Sequence, residues 1–177
     1  VTYAEEGIYS VKLIAKNSEG EDVLLREGFI TISEDAANIS NVALNKTATA
    51  SGQCAPSEAP RYALDGKVTD NSKWCAIGAN SWMKVDLGDV YQLSSFVIKH
   101  AEAGGEPAAF NTRAFTIEVS LDGETWNNVV TVTNNVDGIS EHTIPLTEAR
   151  YVRLAVQQPT QGGDQATRIF EFEAYGF

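Results

Sequence analysis

Strand-like segments recur about every ten residues through most of this chain, at 82–87, 93–99, 115–120, 128–133, 141–146, 151–156 and 171–175. Turn-forming residues separate them, and no three-turn amphipathic helix interrupts the series. Short strands of this kind must each bury a face, and with no helix to cover a sheet they bury it against another sheet. The pattern predicts an all-β fold, an antiparallel β-sandwich of jelly-roll type. Trp82, Val85, Leu87, Phe96 and Ile98 are expected on its inward faces. Hydrophobic residues make up 43% of the 177, enough for a packed core in one domain, or in one domain plus a fragment.

The beginning of the chain reads differently. Residues 1–34 suggest three short strands. Residues 8–15 alternate apolar and polar at period two, Asn17-Ser18-Glu19-Gly20 turns, and Val23-Leu24-Leu25 and Phe29-Ile30-Thr31-Ile32 follow. The run 7–13, with Asn17 after it, resembles the C-terminal half of a PKD-type, immunoglobulin-like domain. Such domains have about seven strands, so the first strands are expected to be missing and Val1 to be an internal position of a longer protein. Half a sandwich cannot bury both faces and should be marginal alone. Residues 35–38 read as a short acidic linker, and the second domain runs from 39 to 177.

The charge balance excludes some partners. The net charge is −11, from 24 acids and 13 bases. Nucleic acid and anionic lipid both need clustered Lys and Arg, so neither is expected. No apolar run approaches the roughly 20 residues of a membrane span, and no basic-then-apolar signal peptide opens the chain. The only histidines are His100 and His142, and the two cysteines, Cys54 and Cys75, fit no zinc pattern. These cysteines flank the loop that contains Asp65. They are either buried free thiols or a disulfide closing that loop, the latter if the protein is exported.

Two segments carry the chemistry. Ala63-Leu64-Asp65-Gly66, with Thr69, Asp70, Asn71 and Ser72 after it, is a turn rich in oxygen donors that ends at Trp74. The C-terminal Phe170-Glu171-Phe172-Glu173-Ala174-Tyr175-Gly176 is a last strand that starts with an acid. Brought together they would form a cage for a hard cation, which takes about six to eight oxygens. Asn41-Val42-Ala43-Leu44-Asn45-Lys46-Thr47-Ala48-Thr49-Ala50-Ser51 precedes this turn. After it come Ser81-Trp82-Met83-Lys84-Val85-Asp86-Leu87-Gly88, Ser120-Leu121-Asp122-Gly123 with Trp126, and Tyr151-Val152-Arg153-Leu154. In order and spacing, residues 39–177 resemble the F5/8 type C domain, which is discoidin-like and galactose-binding-domain-like, and in particular the family 32 carbohydrate-binding modules of bacteria. The resemblance implies a structural calcium ion. Its ligands would be the side chains of Asp65 and Glu171, Ser72, the backbone carbonyls of Tyr62 and Phe170, and Asp70 in preference to Thr69. It also implies a secreted or cell-surface setting, which favours the disulfide.

Catalytic signatures are missing. There is no Gly-x-Ser-x-Gly elbow, no His-Glu-x-x-His and no phosphate-cradling glycine loop before a helix. Glu102 and Glu106 on one loop of an acidic chain read as solvated acids. The long polar loop 99–113 is the better candidate for function, because rigid sandwiches present their sites on loops. His100, Glu106, Asn111 and Arg113 could match sugar hydroxyls, with Phe110 supplying an apolar surface. The bland alternatives are a His100 that satisfies a backbone carbonyl and an Arg113 paired with Glu118 or Glu102. The loop 157–168 lacks the aromatic residue that the family often places there.

The resulting expectation is a non-catalytic, calcium-stabilised carbohydrate-binding module. Its partner is a glycan of galactose or N-acetylhexosamine type. The module would direct an attached secreted glycoside hydrolase, such as an endo-β-N-acetylglucosaminidase, whose domains lie in cis. The rivals are an adhesive, protein-binding discoidin domain and a structural spacer.

Overall fold

The computed structural model describes residues 7–18, 20–32 and 38–177. The expected linker lies outside them except for Asn38. The chain divides between Ile39 and Ser40 into two compact units.

In the first unit, β1 (Gly7–Asn17) and β2 (Gly20–Ile32) form an antiparallel hairpin with Gly7 opposite Ile32 and Asn17 opposite Gly20. Asn17 closes the turn by accepting the Gly20 amide on Oδ1 at 3.0 Å. The segments 23–25 and 29–32, expected as separate strands, belong to the one strand β2. Between them Gly28 takes a positive φ of 60° and donates its amide to the Ser10 hydroxyl at 3.2 Å, so a bulge replaces the expected break. Leu13, Leu24 and Phe29 remain 53–62% exposed. Two such strands are compatible with an immunoglobulin-like fragment.

The second unit holds eight strands: β3 (Ser40–Asn41), β4 (Thr47–Ala50), β5 (Trp74–Ile77), β6 (Ser81–His100), β7 (Ala114–Ser120), β8 (Asn127–Val132), β9 (Ile139–Gln158) and β10 (Ala166–Gly176). All their pairings are antiparallel, in the order β3-β10-β6-β9-β7-β8, with β4 on β6 and β5 on β10. Two strands are long enough to serve both layers of the sandwich. The first part of β6, Ser81 to Asp86, pairs with β4 and with the later part of β9, which pairs onward with β7. Its second part, from Leu93, pairs with β10 and with the early part of β9. The register breaks between Asp86 and Tyr91, where Gly88 has a φ of 90° that an L side chain would resist. What looks in the sequence like four strands, 82–87 with 93–99 and 141–146 with 151–156, is therefore two bent ones.

The core follows from the period of two. Met83, Val85, Leu87, Phe96, Ile98, Phe115, Ile117, Val152, Leu154, Phe172 and Trp74 are fully buried. The rings of Phe96 and Phe172 stack across the two strands at 6.0 Å. Each large apolar side chain so buried contributes about 1.5–3 kcal/mol. Trp82 is a correction. It is only half-buried, because successive side chains on a strand point to opposite faces, and Met83, Val85 and Leu87 claim the inner one. Trp82 shares the outer face of β6 with Lys84 and Asp86.

Candidate functional site

At one end of the sandwich, loops from distant parts of the chain are stitched into a single surface. The Arg113 amide donates to the Gln158 carbonyl at 3.0 Å, and the Asn135 amide to the Arg113 carbonyl at 2.8 Å. The Gln161 side-chain amide donates to the carbonyls of Asn111 and Asn135, both at 2.9 Å. Cys54 and Cys75 are joined in a disulfide that ties the loop before the turn Pro56–Glu58 to β5. Loops held this way lose little further entropy on meeting a ligand.

The structure divides the four residues expected to contact sugar. His100 is fully buried at the end of β6, its ring 5.6 Å from that of Phe115. Its Nε2 meets the Ser140 hydroxyl at 3.0 Å, and His142 Nε2 meets the same hydroxyl at 3.1 Å. Burial, reinforced by the neighbouring His142, lowers its pKa to about 4. Asn111 is also fully buried. It accepts the Glu102 amide at 2.9 Å and donates to Glu102 Oε2 and the Val136 carbonyl, both at 3.1 Å. Both residues build the loop rather than face solvent. Glu106 and Arg113 lie nearer the surface. Glu118, an expected partner of Arg113, instead pairs with Arg153 at 2.5 Å. The Arg113 guanidinium has no ion pair or side-chain hydrogen bond among the described residues.

Glu106 belongs to a chain of charges that links three connections, those between β4 and β5, β6 and β7, and β9 and β10. Lys73 bridges Glu58 at 3.1 Å and Glu106 at 3.0 Å. Glu106 also receives Arg168 at 3.0 Å, and Arg168 grips Asp164 through two bonds at 3.1 and 3.2 Å. The Arg168 guanidinium lies 4.2 Å from the Phe110 ring centroid, and the Lys73 ammonium 5.4 Å from that of Phe170. Lys73 is 4% exposed, so its two carboxylate partners are what make its burial tolerable. Among the described residues Glu58 makes both its contacts, to Lys73 and Asn71, through Oε1 and none through Oε2. Glu58, Lys73, Asp164 and Arg168 carry no sequence signal as a group, because about a hundred residues separate the first two from the last two. The one local hint was Glu58 inside the cysteine-bounded loop.

The oxygen-rich turn lies beside β10. Thr69-Asp70-Asn71-Ser72 forms a tight turn with Asp70 and Asn71 at φ of 56° and 60°, closed by the Ser72 amide on the Thr69 carbonyl at 3.0 Å. Positive φ at both central residues suits Asp and Asn better than most side chains. Asp65 accepts the Ser72 hydroxyl at 2.6 Å and the Lys67 amide at 3.0 Å. Glu171 Oε1 accepts that same Lys67 amide at 3.1 Å and the Gly66 amide at 2.9 Å. The two carboxylates are therefore neighbours. Glu171 is fully buried, its Oε2 has no partner, and it enters no ion pair among the described residues. Burial, with the Asp65 charge adding to it, pushes the Glu171 carboxyl up to about 7. Asp70 stands on the exposed tip of the turn, 3.4 Å from the Thr69 hydroxyl. Tyr62 closes the short turn Pro60–Ala63, and buried Phe170 directly precedes Glu171. Asp65, Ser72 and Glu171 thus converge, while Asp70 forms no bond to that group.

No helix among the described residues is long and apolar enough to cross a membrane. Among solved structures, the chain is similar to the family 32 carbohydrate-binding module of Streptococcus pneumoniae EndoD. The TM-score is 0.70 at 24% identity, over 78% of this chain and 100% of that one. It is also similar to chitosan-binding module 1 of a chitosanase/glucanase from Paenibacillus sp. IK-5, at TM-score 0.65 and 30% identity over 77% and 99% of the two chains. Module 2 of that enzyme, solved with chitotriose, matches at TM-score 0.65 and 27% identity, over 77% and 100%. These neighbours are carbohydrate-binding modules. Among curated proteins none matches. The F5/8 type C domain model matches residues 47–172, and the chain belongs to that family.

Proposed function

We propose that this protein is a non-catalytic carbohydrate-binding module whose site is the stitched loop end of the sandwich. The observation that carries this reading is the preorganised run Glu58–Lys73–Glu106–Arg168–Asp164 with Phe110 beside it. A sugar presents alternating hydroxyl donors and acceptors, and fixed carboxylates and guanidinium groups meet them without reorganising. Glu58 contributes its Oε2, and Arg113 contributes unclaimed N–H donors. The acidic balance of the chain suits a neutral or amino sugar. This agrees with chitosan binding in the Paenibacillus neighbour and with an expected ligand of galactose or N-acetylhexosamine type.

A calcium ion would suit the second site, and the chemistry of its own atoms supports this. A buried carboxylate with one orphaned oxygen, beside a second carboxylate, demands either a proton or a cation. Asp65, Glu171 and Ser72 would hold the ion, and its role is to tie the loop 65–72 to β10. The module is secreted and works by tethering: weak single-site binding raises the local concentration of an attached glycoside hydrolase on its glycan. A glycan array probed with calcium-loaded protein tests the reading. At least one glycan should bind with a Kd between about 10 μM and 1 mM. A blank array from folded protein would exclude it.

A further inference from the structure

An open groove of about 430 Å3 runs between β4 and the loop 53–61. It is distinct from the charge chain of the loop end, with which it shares no residue. Its lining is Lys46, Thr47, Ala48, Gln53, Ala59, Pro60 and Arg61. No carboxylate lines it, although the chain has 24 acids against 13 bases. Most other cations of the sandwich are spoken for: Lys73, Lys99, Arg150, Arg153 and Arg168 all sit in ion pairs. Lys46 and Arg61 enter none among the described residues.

Arg61 is exposed and lies over Tyr62, its guanidinium carbon 4.4 Å from the ring centroid, with one N–H donated to the Tyr62 hydroxyl at 2.8 Å. These two contacts hold the guanidinium in place and leave most of its five donors free. Lys46 also lines the groove, and its ammonium lies 5.8 Å from the Tyr91 centroid. The acid nearest in effect, Asp86, is already held by Arg150 through two bonds at 3.0 and 3.1 Å. The Thr47 hydroxyl and the Gln53 amide make no hydrogen bond within the protein among the described residues, and Ala48, Ala59 and Pro60 give an apolar wall.

We propose that this groove binds an acidic sugar residue, its anion set against Arg61 and its hydroxyls against Thr47 and Gln53. The shared chemistry is a pyranose that carries a uronate carboxylate or a sulfate ester. The volume lies within the range of about 300–1,000 Å3 usual for small-ligand sites. A planar guanidinium recognises either anion through paired N–H bonds. The apolar wall suits the C–H face of a ring.

The test is chemical-shift mapping on the folded protein, with trigalacturonate, a sulfated galactose disaccharide and the fully methyl-esterified trigalacturonate as probes. Either anionic probe, or both, should shift Thr47, Gln53 and Arg61, which also identifies the source of the anion, and the neutral ester should not. Arg61→Ala should weaken that binding at least fivefold, Arg61→Lys less, and raising salt from 50 to 500 mM should weaken it further. Arg61 is exposed, so these variants are expected to keep the melting temperature of the parent. Binding of a neutral glycan at the loop end should persist in Arg61→Ala, which separates failure of this groove from failure of the loop-end site. Equal binding of ester and acid, no shift at these residues, or an unaffected Arg61→Ala overturns the proposal.

Discussion

His100 shows how one side chain can be chemically suggestive in sequence and structural in fact. A histidine at a strand end beside a polar loop suits ligand contact, yet this one is buried with its Nδ1 unpartnered. Its pKa of about 4, against an ordinary 6.5, makes it a source of acid sensitivity. The unfolded chain takes up a proton there as pH falls through about 6.5, while the folded chain resists until about 4. Stability from this group is therefore complete above the upper value and is lost as pH drops through the window, by at most about 3 kcal/mol. Denaturant melts at pH 7 and pH 5 should show a fall, and His100→Gln, which cannot titrate, should lose that part of the slope. Arg113 is the opposite case, with a guanidinium the fold leaves unclaimed. Arg113→Ala should weaken binding of a confirmed glycan at least tenfold, about 1.5–3 kcal/mol for a charged hydrogen bond, with the melting temperature little changed. Titration calorimetry on parent and variant checks this.

Elements show where the sequence could be read and where it could not. The strands were legible because alternation at period two survives in 115–120, 128–133 and 171–175; the first two match β7 and β8 closely, while β10 begins five residues before the third, at Ala166. Bends were not legible. Gly88 and the 147–150 stretch look like breaks between strands, whereas the strands run on through them. Of the sites, the adjacency of Asp65 and Glu171 followed from an ordered family pattern and not from any local signal. The charge chain across the loops was invisible because it depends on β10 returning beside β5. The loop elements also carry tests. A Cβ added at Gly104 would lie 2.1 Å from the buried Phe170 ring, so Gly104→Ala should destabilise the unit by about 1–3 kcal/mol, read as a lowered midpoint in denaturant. Reducing the Cys54–Cys75 bridge, which closes a separation of 21 residues, should cost about 3 kcal/mol in the chain-entropy model. A melt with and without reductant measures it. If the proposed ion is held, calcium should raise the melting temperature over chelated protein, because a ligand of the folded state alone stabilises it. Glu171→Gln should abolish that difference, and an unchanged difference would place the ion elsewhere.

The whole molecule joins a hairpin with exposed leucines to a sandwich with a buried aromatic and aliphatic core, and each is stable or marginal on its own account. A lone two-stranded hairpin is at best marginal in water. The sandwich instead has a continuous core and a loop end held by a disulfide and by ion pairs. With a net charge of −11, weak nonspecific adsorption to polyanions is disfavoured, which favours specific contact over general stickiness. The central claim is that the loop end binds a glycan. Chemical-shift mapping tests it most directly, by titrating the best glycan from an array into isotope-labelled, calcium-loaded protein. The account predicts saturable shifts concentrated at residues 54–58, 101–113 and 157–168, and not at Thr47, Gln53 or Arg61. Shifts confined to other surfaces, or none at millimolar glycan, would contradict it.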